Sequence, residues 1–377
     1  IKQGYKQTKV GIIPEDWEDI KIKDIVKVSQ GLQIAIDDRF TTPAHNRVFY
    51  ITIPFIEGKK EEYIENPKSS TLCKKDDILV VRTGSGVGKI IRGVEGAFHN
   101  NFFKVKPSDN INIDFFYYFL TSPRVQFLMA KYAGNSAIPD LNHGDFYSLD
   151  FLIPPLKEQE KIAEILTTWD EAITKQTELL RAKELLKIAL MQKLLSGEVR
   201  FDGFSDKWEE VRIDKLFDFK KGQELSKEKL EKNGIFECIL YGELYTTYSE
   251  VISEIKSKTN IKEGIKSKID DILIPASTTT SAIDLAIAST IQKDNVLIGG
   301  DINILRKKTN NINGEFISKY LTHIKKMEIA KYAQGITIIH LYSKDFKHLK
   351  IKLPSLPEQQ KIAEVLSLAD DEINLLK

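Results

Sequence analysis

The chain has 377 residues, of which 42% are hydrophobic and 29% charged; 55 basic residues face 54 acidic ones, for a net charge of +1. That length is too great for one ordinary core and suits two or three domains of a soluble globular protein. No run approaches the roughly 18 apolar residues of a membrane span. The start, Ile1-Lys-Gln-Gly-Tyr5, has no apolar leader core, and two isolated cysteines make no disulfide framework, so a reducing, cytoplasmic location without a membrane partner is expected. The balanced charge is not the global mark of a nucleic-acid binder, although a basic face can be offset by an acidic one elsewhere.

In chain order, a Trp-led segment comes first, WEDIKIKDIVKV from Trp17 to Val28, whose alternation reads as strand or short helix. A β-rich middle follows, with short apolar runs such as DILVV (Asp77 to Val81). A helical stretch spans roughly Asp114 to Tyr132, with a break expected at Ser122-Pro123. A Pro-marked linker, FLIPPL, leads into a run from Glu158 to Leu195 without Gly or Pro, closed by Gly197. Those residues predict a helix of about 57 Å at 1.5 Å per residue. The plan then repeats: WEEVRIDKLFDF from Trp208, DILIP from Asp271, a helical stretch from Gly314 to Tyr332, and IKLPSL from Ile351. Ser355 and Glu358 have the spacing of a capping box for a second helix, with Pro357 in its first turn. That helix reaches Lys377 after about twenty residues, and the natural chain is expected to continue. Lysines gather between Lys256 and Lys268 and at Arg306-Lys307-Lys308; such runs are ordinarily solvated surface.

The chain is a duplication. EQEKIAEIL (Glu158 to Leu166) returns as EQQKIAEVL (Glu358 to Leu366), and Ala130-Lys-Tyr-Ala133 as Ala330-Lys-Tyr-Ala333. Leu141, Phe146, Asp170 and Ile173 match Leu341, Phe346, Asp370 and Ile373 at the same offset. Upstream, Trp17 pairs with Trp208 and Gly31 with Gly222 at a smaller one, so a frame is shared while its loops differ in length. Two large copies imply pseudo-twofold symmetry rather than a solenoid. The expected fold is α+β: two β-rich domains, 1–155 and 198–354, separated by long antiparallel coiled-coil helices, 156–197 and 355–377. A helix this long carries more apolar surface than one small domain covers, and its duplicate is the obvious partner. Ile162, Leu166, Trp169, Ile173, Ile362, Leu366 and Ile373 are expected to form that seam. Packing of each helix on its own domain is the plainer alternative.

Familiar catalytic patterns are missing. TGSGVGKI (Thr83 to Ile90) has Thr83 where a phosphate-binding loop needs its first glycine and Ile90 where it needs a hydroxyl. The matching stretch of the second copy, Pro275 to Ser281, has no glycine. A loop that differs between copies of one frame suits specificity better than shared catalysis. The only Pro-Pro, Pro154-Pro155, lacks the Asn or Asp before it and the aromatic after it that an adenine methyltransferase uses. Pro139-Asp140 has no nuclease-type Glu/Asp-x-Lys before Lys183, and the six histidines show no metal-ligand spacing.

Four phrases together resemble a family. GYKQTKVGIIPEDWE (Gly4 to Glu18), LLSGEVRFDGFSDKWEE (Leu194 to Glu210), PPLKEQEKIAEIL and PSLPEQQKIAEVL are similar to the opening, the mid-chain junction and the two helix starts of type I restriction–modification specificity subunits. The resemblance implies two target-recognition domains, each reading half of an asymmetric, interrupted double-stranded DNA site. It implies a non-catalytic chain that recruits two methyltransferase subunits and restriction subunits. S-adenosylmethionine, ATP and magnesium would belong to those partners, and none to this chain. The polar residues of loops that differ between copies are the expected DNA contacts. In the first domain these are Arg82, Ser85, Lys89, Arg92, Asn100, Asn101 and Asn135. In the second they are Lys221, Gln223, Tyr245, Thr278, Thr279, Thr280, Lys307 and Gln334. Tyr132/Tyr332 and Trp17/Trp208 recur and are expected to be framework. The rival readings are a coiled-coil protein-binding adapter without DNA readout and an enzyme of unrecognised site.

Overall fold

In a computed structural model of the chain, which describes residues 3–84, 86–134, 136–223 and 225–377, the first long helix is continuous from Leu156 to Ser196. The boundary between two units, Ile1–Thr174 and Lys175–Lys377, falls inside it.

The first unit opens with the hairpin β1 (Tyr5–Thr8) and β2 (Gly11–Pro14), then β3 (Glu18–Lys21) and β4 (Val26–Gln30). There follow β5 (Arg47–Ile51), the single turn α1 (Ile53–Ile56), β6 (Tyr63–Glu65), β7 (Leu72–Cys73), β8 (Ile78–Val81), β9 (Ile90–Ile91), β10 (Gly96–Phe98) and β11 (Phe102–Pro107). Then come α2 (Ile113–Thr121), α3 (Pro123–Ala133), α4 (His143–Tyr147), β12 (Asp150–Ile153) and the start of α5 (Leu156–Ser196). Two four-stranded sheets are ordered β4-β11-β8-β9 and β6-β5-β10-β7. The apolar run of β8 is buried on both faces, as an unbroken run in a central strand should be. Ile78 and Val80 pack with Phe116, Leu120, Met129 and Phe146 of the helical layer, while Leu79 and Val81 pack with Ile51, Cys73 and Phe98 of the second sheet. α2 starts where the Asn112 side chain accepts from Asp114 N and Phe115 N, and it stops at Thr121 because Pro123 begins α3.

The second unit rebuilds this plan. It contains β13 (Glu209–Arg212), α6 (Ile213–Leu216), β14 (Phe217–Lys221), β15 (Phe236–Ile239), α7 (Glu243–Thr246), β16 (Val251–Ile252), β17 (Ser257–Thr259) and β18 (Asp271–Pro275). β19 (Ser277–Thr278), β20 (Ser289–Ile291), β21 (Leu297–Ile298), β22 (Ile302–Lys307), α8 (Gly314–His323), α9 (Lys326–Ala330), β23 (Ile339–His340), α10 (Ser343–Phe346), β24 (Lys350–Leu353) and α11 (Leu356–Leu376) complete it. Its main sheet is ordered β14-β22-β18-β20-β16, with β17-β15-β21 beside it. Again one strand faces both ways: Ile272 and Ile274 join the helical core, and Leu273 joins the other cluster.

The repeated nine-residue phrase is a fastening. Gln159 and Gln359 are 1% and 0% exposed. Each side-chain oxygen accepts from an N-cap amide, Asn112 of α2 or Asn313 of α8, at 2.9 Å. Each side-chain amide donates to two carbonyls, Asn110 and Pro154 in one copy and Asn311 and Pro354 in the other. The preceding glutamate ties the helix to the Trp-led segment: Trp17 Nε1 donates to Glu158 at 3.0 Å, and Trp208 Nε1 to Glu358 at 3.2 Å. Arg200 adds a two-pronged bond to Glu358, both prongs 2.7 Å. These bonds correct the expected capping box. Ser355 is the N-cap of α11, but its side chain makes no cap bond, and Glu358 is turned to Trp208 and Arg200 instead.

Further along, the same position is tied with different chemistry. Tyr118 donates to Asp170 at 2.8 Å in the first unit, and buried Lys319 to Asp370 at 2.9 Å in the second.

Within the second unit α11 lies antiparallel to the last half of α5. Gln176 donates to the Leu376 carbonyl at 2.9 Å, Lys183 pairs with Glu372 at 2.6 Å, and Lys187 with Asp370. Met191, Leu194 and Leu195 of α5 share one core with Ile362, Ala363 and Leu366 of α11. Part of the expected seam packs on α5 in this way. Ile362 and Leu366 are core residues of their own unit, which they enter with α8 and the end of α5. Ile373 is also buried. Ile162 packs against the first unit's core, while Leu166, Trp169 and Ile173 are 38%, 65% and 60% exposed.

Candidate nucleic-acid interface

The loop after the central strand is held by the same main-chain bonds in both units. Arg82 N donates to Asn101 O at 2.7 Å, and Leu141 N to Arg82 O at 2.8 Å. Their counterparts are Ala276 N to Asp301 O at 2.8 Å and Leu341 N to Ala276 O at 2.9 Å. A hydroxyl follows in each case: Thr83 donates to the Asn101 side chain at 3.0 Å, and Ser277 to Asp301 at 3.1 Å. Across this cluster runs another shared crossing, where Gly31 and Gly222 touch the chain opposite. A Cβ on Gly31 would lie 2.3 Å from the His99 carbonyl oxygen, and one on Gly222 would lie 1.9 Å from that of Gly299. No side chain fits there, so glycine is required in both copies.

The side chains on this frame differ. In the first unit Arg82 makes a two-pronged pair with Asp140, 2.9 and 3.1 Å, and stays partly exposed. In the second the corresponding positions are Ala276 and His340, and His340 stacks on Tyr342. Asn101 accepts from Thr83, and Asn100 donates to Gln33 at 3.1 Å. Lys89 is exposed and makes no side-chain pair with a described residue. Ser85 and Asn135 lie outside the described residues. In the second unit Thr279 and Thr280 are exposed, Thr278 is 7% exposed, and Thr280 donates to Asp284 at 2.5 Å. Hydrogen bonds from Thr280 and Ser281 hold the Asp284 carboxyl below its usual range. Gln223 is exposed, Lys221 is 3.4 Å from Asp301, and Gln334 closes a loop by exchanging main-chain bonds with His340.

The family described as type I restriction modification DNA specificity domain matches residues 14–182 and again 205–377. The chain belongs to that family. It is 22% identical over 396 residues to the type I restriction enzyme MjaVIII specificity subunit of Methanocaldococcus jannaschii, covering 99% of this chain and 91% of the relative. It is 26% identical over 404 residues to the putative MjaX specificity subunit of the same organism, with the same coverage. The crystal structure of a type I restriction–modification S subunit from M. genitalium superposes with a TM-score of 0.57 at 18% identity, covering 96% of this chain and 91% of that one. The shared fold is thus two β-rich specificity domains separated by a long helix.

Within this pair of specificity domains, several of the expected contact residues have partners in their own domain. Arg92 is held by Asp114 at 2.5 Å, at the start of α2, and lies over the Tyr117 ring. Lys307 pairs with Asp270 at 2.6 Å, at the far end of β22 from Asp301 and about 20 Å away at 3.4 Å per residue. Arg306 and Lys308 are likewise paired, with Asp271 and Asp218. Tyr245 donates to the Ser277 carbonyl at 2.7 Å, and burial pushes its phenol pKa up, so it props the loop from behind. Asp140, Asp301 and Asp284 were missed from sequence because acidic residues are poor expectations for DNA contact; here they aim basic and hydroxyl groups. An open groove of about 890 Å³, lined by Lys221, Gln223, Lys229, Tyr241 and Asp301 among others, runs beside the second loop. Among the described residues no group of three or more His, Cys, Asp or Glu could hold a metal ion, and no helix is long and apolar enough to cross a membrane.

Proposed function

We propose that each specificity domain reads one half of an asymmetric, interrupted DNA site and that the chain recruits two methyltransferase subunits, and restriction subunits with them. The chain makes no bond itself; the methyl donor, ATP and magnesium belong to the recruited subunits. The observation that carries this reading is the pair of loops hung on identical main-chain bonds but bearing different side chains, Arg82 and Asp140 against Ala276 and His340. Phosphate contacts position a protein on DNA, and base-edge contacts discriminate sequences, so a constant frame with variable polar loops suits two different half-sites. Arg82, Lys89 and Asn101 are the first domain's strongest candidates, with Gln223, Thr279 and Thr280 in the second and Lys221 on phosphate. Each wrong base pair costs about 1–3 kcal/mol, so two short half-sites together give useful selectivity.

Binding selection from a random duplex library, with the chain alone and with its methyltransferase subunit, tests the proposal. Two short fixed blocks around a constant run of free bases are expected. One block alone would limit readout to a single domain; no enrichment with either preparation would leave a protein-binding adapter. The helices set the gap in this reading. Four residues added to both, one turn or about 6 Å, should widen it by about two base pairs, and an unchanged gap in the selected sites would sink the ruler.

A further inference from the structure

Beside each reading loop the fold displays an isoleucine that packing does not require. Ile138 is 71% exposed, and its counterpart Ile338 is 49% exposed next to Ile336 at 99%. Soluble surfaces carry lone apolar residues routinely, but these recur at one offset in segments that otherwise diverge. Neither segment is slack. In the second domain Gln334 and His340 exchange bonds of 2.8 and 2.7 Å, and Gly335, at φ +133°, makes a turn so tight that a Cβ would lie 2.0 Å from the Ile338 carbonyl oxygen. In the first, Ser136 donates to the Ile138 carbonyl at 2.7 Å, and Gly84 N to that of Pro139 at 3.0 Å. Both segments pair directly with the variable loops: Thr83 bridges to Asp140, and Thr278 to Ile339.

The surroundings indicate what such a tip meets. Lys131 and Lys331 recur seven residues before Ile138 and Ile338; both are exposed and make no side-chain pair with a described residue. The other neighbours are Ser136, Thr279, Thr280 and Thr337. The buried centre of a protein interface is more apolar than its rim. Aliphatic tips paired with hydroxyl-bearing loops, with an exposed lysine seven residues earlier in each chain segment, suit a duplex, where cations meet phosphates and an apolar wedge enters between stacked base pairs.

We infer that Ile138, and Ile338 with Ile336, are wedges that each enter a base step of the half-site their own domain reads; this rests on the two-half-site reading above. The step entered is opened and partly unstacked, so the domain senses how easily that step deforms, as well as its base edges.

The test uses the full chain with its methyltransferase subunit on the selected site, with 2-aminopurine moved through positions other than the adenine to be methylated. The parent should show a fluorescence rise at one step per half-site. Ile138→Ser should abolish the rise in the first half only, and Ile336→Ser with Ile338→Ser in the second half only. Each should weaken binding about tenfold with an unchanged salt slope, because no phosphate contact is lost. Ile338→Leu should retain the signal, and the exposed substitutions should leave the melting temperature in place. Parent-like fluorescence and affinity in the serine variants would overturn the wedge. So would lost methyltransferase association with DNA binding of the chain intact, which would make the tips a protein contact. A parent that selects no DNA at all would instead refute the two-half-site reading, and the wedge with it.

Discussion

Replacing Gln359 with leucine isolates the fastening at the start of α11. The side chain is fully buried and makes three bonds: Asn313 N to its oxygen at 2.9 Å, and its amide to Asn311 O at 3.2 Å and Pro354 O at 2.8 Å. Leucine has similar volume and none of these groups. Asn311 is exposed, so its carbonyl takes water in exchange. Asn313 N–H and the buried Pro354 carbonyl have no such recourse, and each stranded group costs about 1–3 kcal/mol. The apolar replacement returns about 1 kcal/mol. The net loss should be about 2–4 kcal/mol, read as a lower urea midpoint at unchanged slope. Amide exchange gives the location: Asn313 to Ile317 and the first turn of α11 should exchange at least about 30-fold faster, the equivalent of 2 kcal/mol at 1.4 kcal/mol per decade. Gln159→Leu should cost the same and appear at Asn112 and the start of α5, because its bonds are the same. A loss under about 1 kcal/mol with parent-like exchange at Asn313 would refute the fastening.

Arg200→Met should lower the urea midpoint, because Glu358 is 1% exposed and would lose both prongs of its cation; adding Glu358→Leu should recover much of the loss in the same denaturation assay. The second unit should also have an acid limb. A hydrogen bond from His323 holds the Glu250 carboxyl down to about 2, against burial that pushes it up, so its contribution is complete above the ordinary value near 4.5 and is lost as pH falls from there through about 2. That contribution is about 3 kcal/mol, and Glu250→Gln should flatten the stability–pH curve in that window. On the DNA side, Arg82→Ala should change selection in the first half-site alone, and Thr279→Ala with Thr280→Ala in the second alone; equal loss at both halves would indicate misfolding instead.

The repeats, the long helix and the break at Ser122-Pro123 were legible because each leaves a local mark: a nine-residue echo, a run without Gly or Pro, a ring that cannot continue a helix. Trp17 and Trp208 were legible as frame because they recur, although their glutamate partners lie about 140–150 residues away. The capping box failed for a physical reason, since a tertiary tryptophan and arginine outbid a local serine for Glu358. The α11 side of the seam was legible, but apolar spacing does not name the residues that cover it, here Met191, Leu194 and Leu195 of α5. Leu166 and Leu366 hold the same place in the repeat, yet the first is 38% exposed and the second is buried. The ion pairs of the expected contact residues were the least legible. Arg92 and Lys307 look like any basic loop residue until Asp114 and Asp270 are seen beside them.

The loop cradle has an evolutionary corollary. Its bonds at Arg82 and Ala276 join main-chain atoms, which every residue but proline can supply in full. Selection can therefore rewrite the side chain at that position, from a large cation to a methyl group, without reopening the question of whether the domain folds. In the two-half-site reading proposed above, such an arrangement lets a domain change its target at little cost to its fold. Gly31, Gly222, Gln159 and Gln359 have no such freedom, because their own contacts fix the residue type.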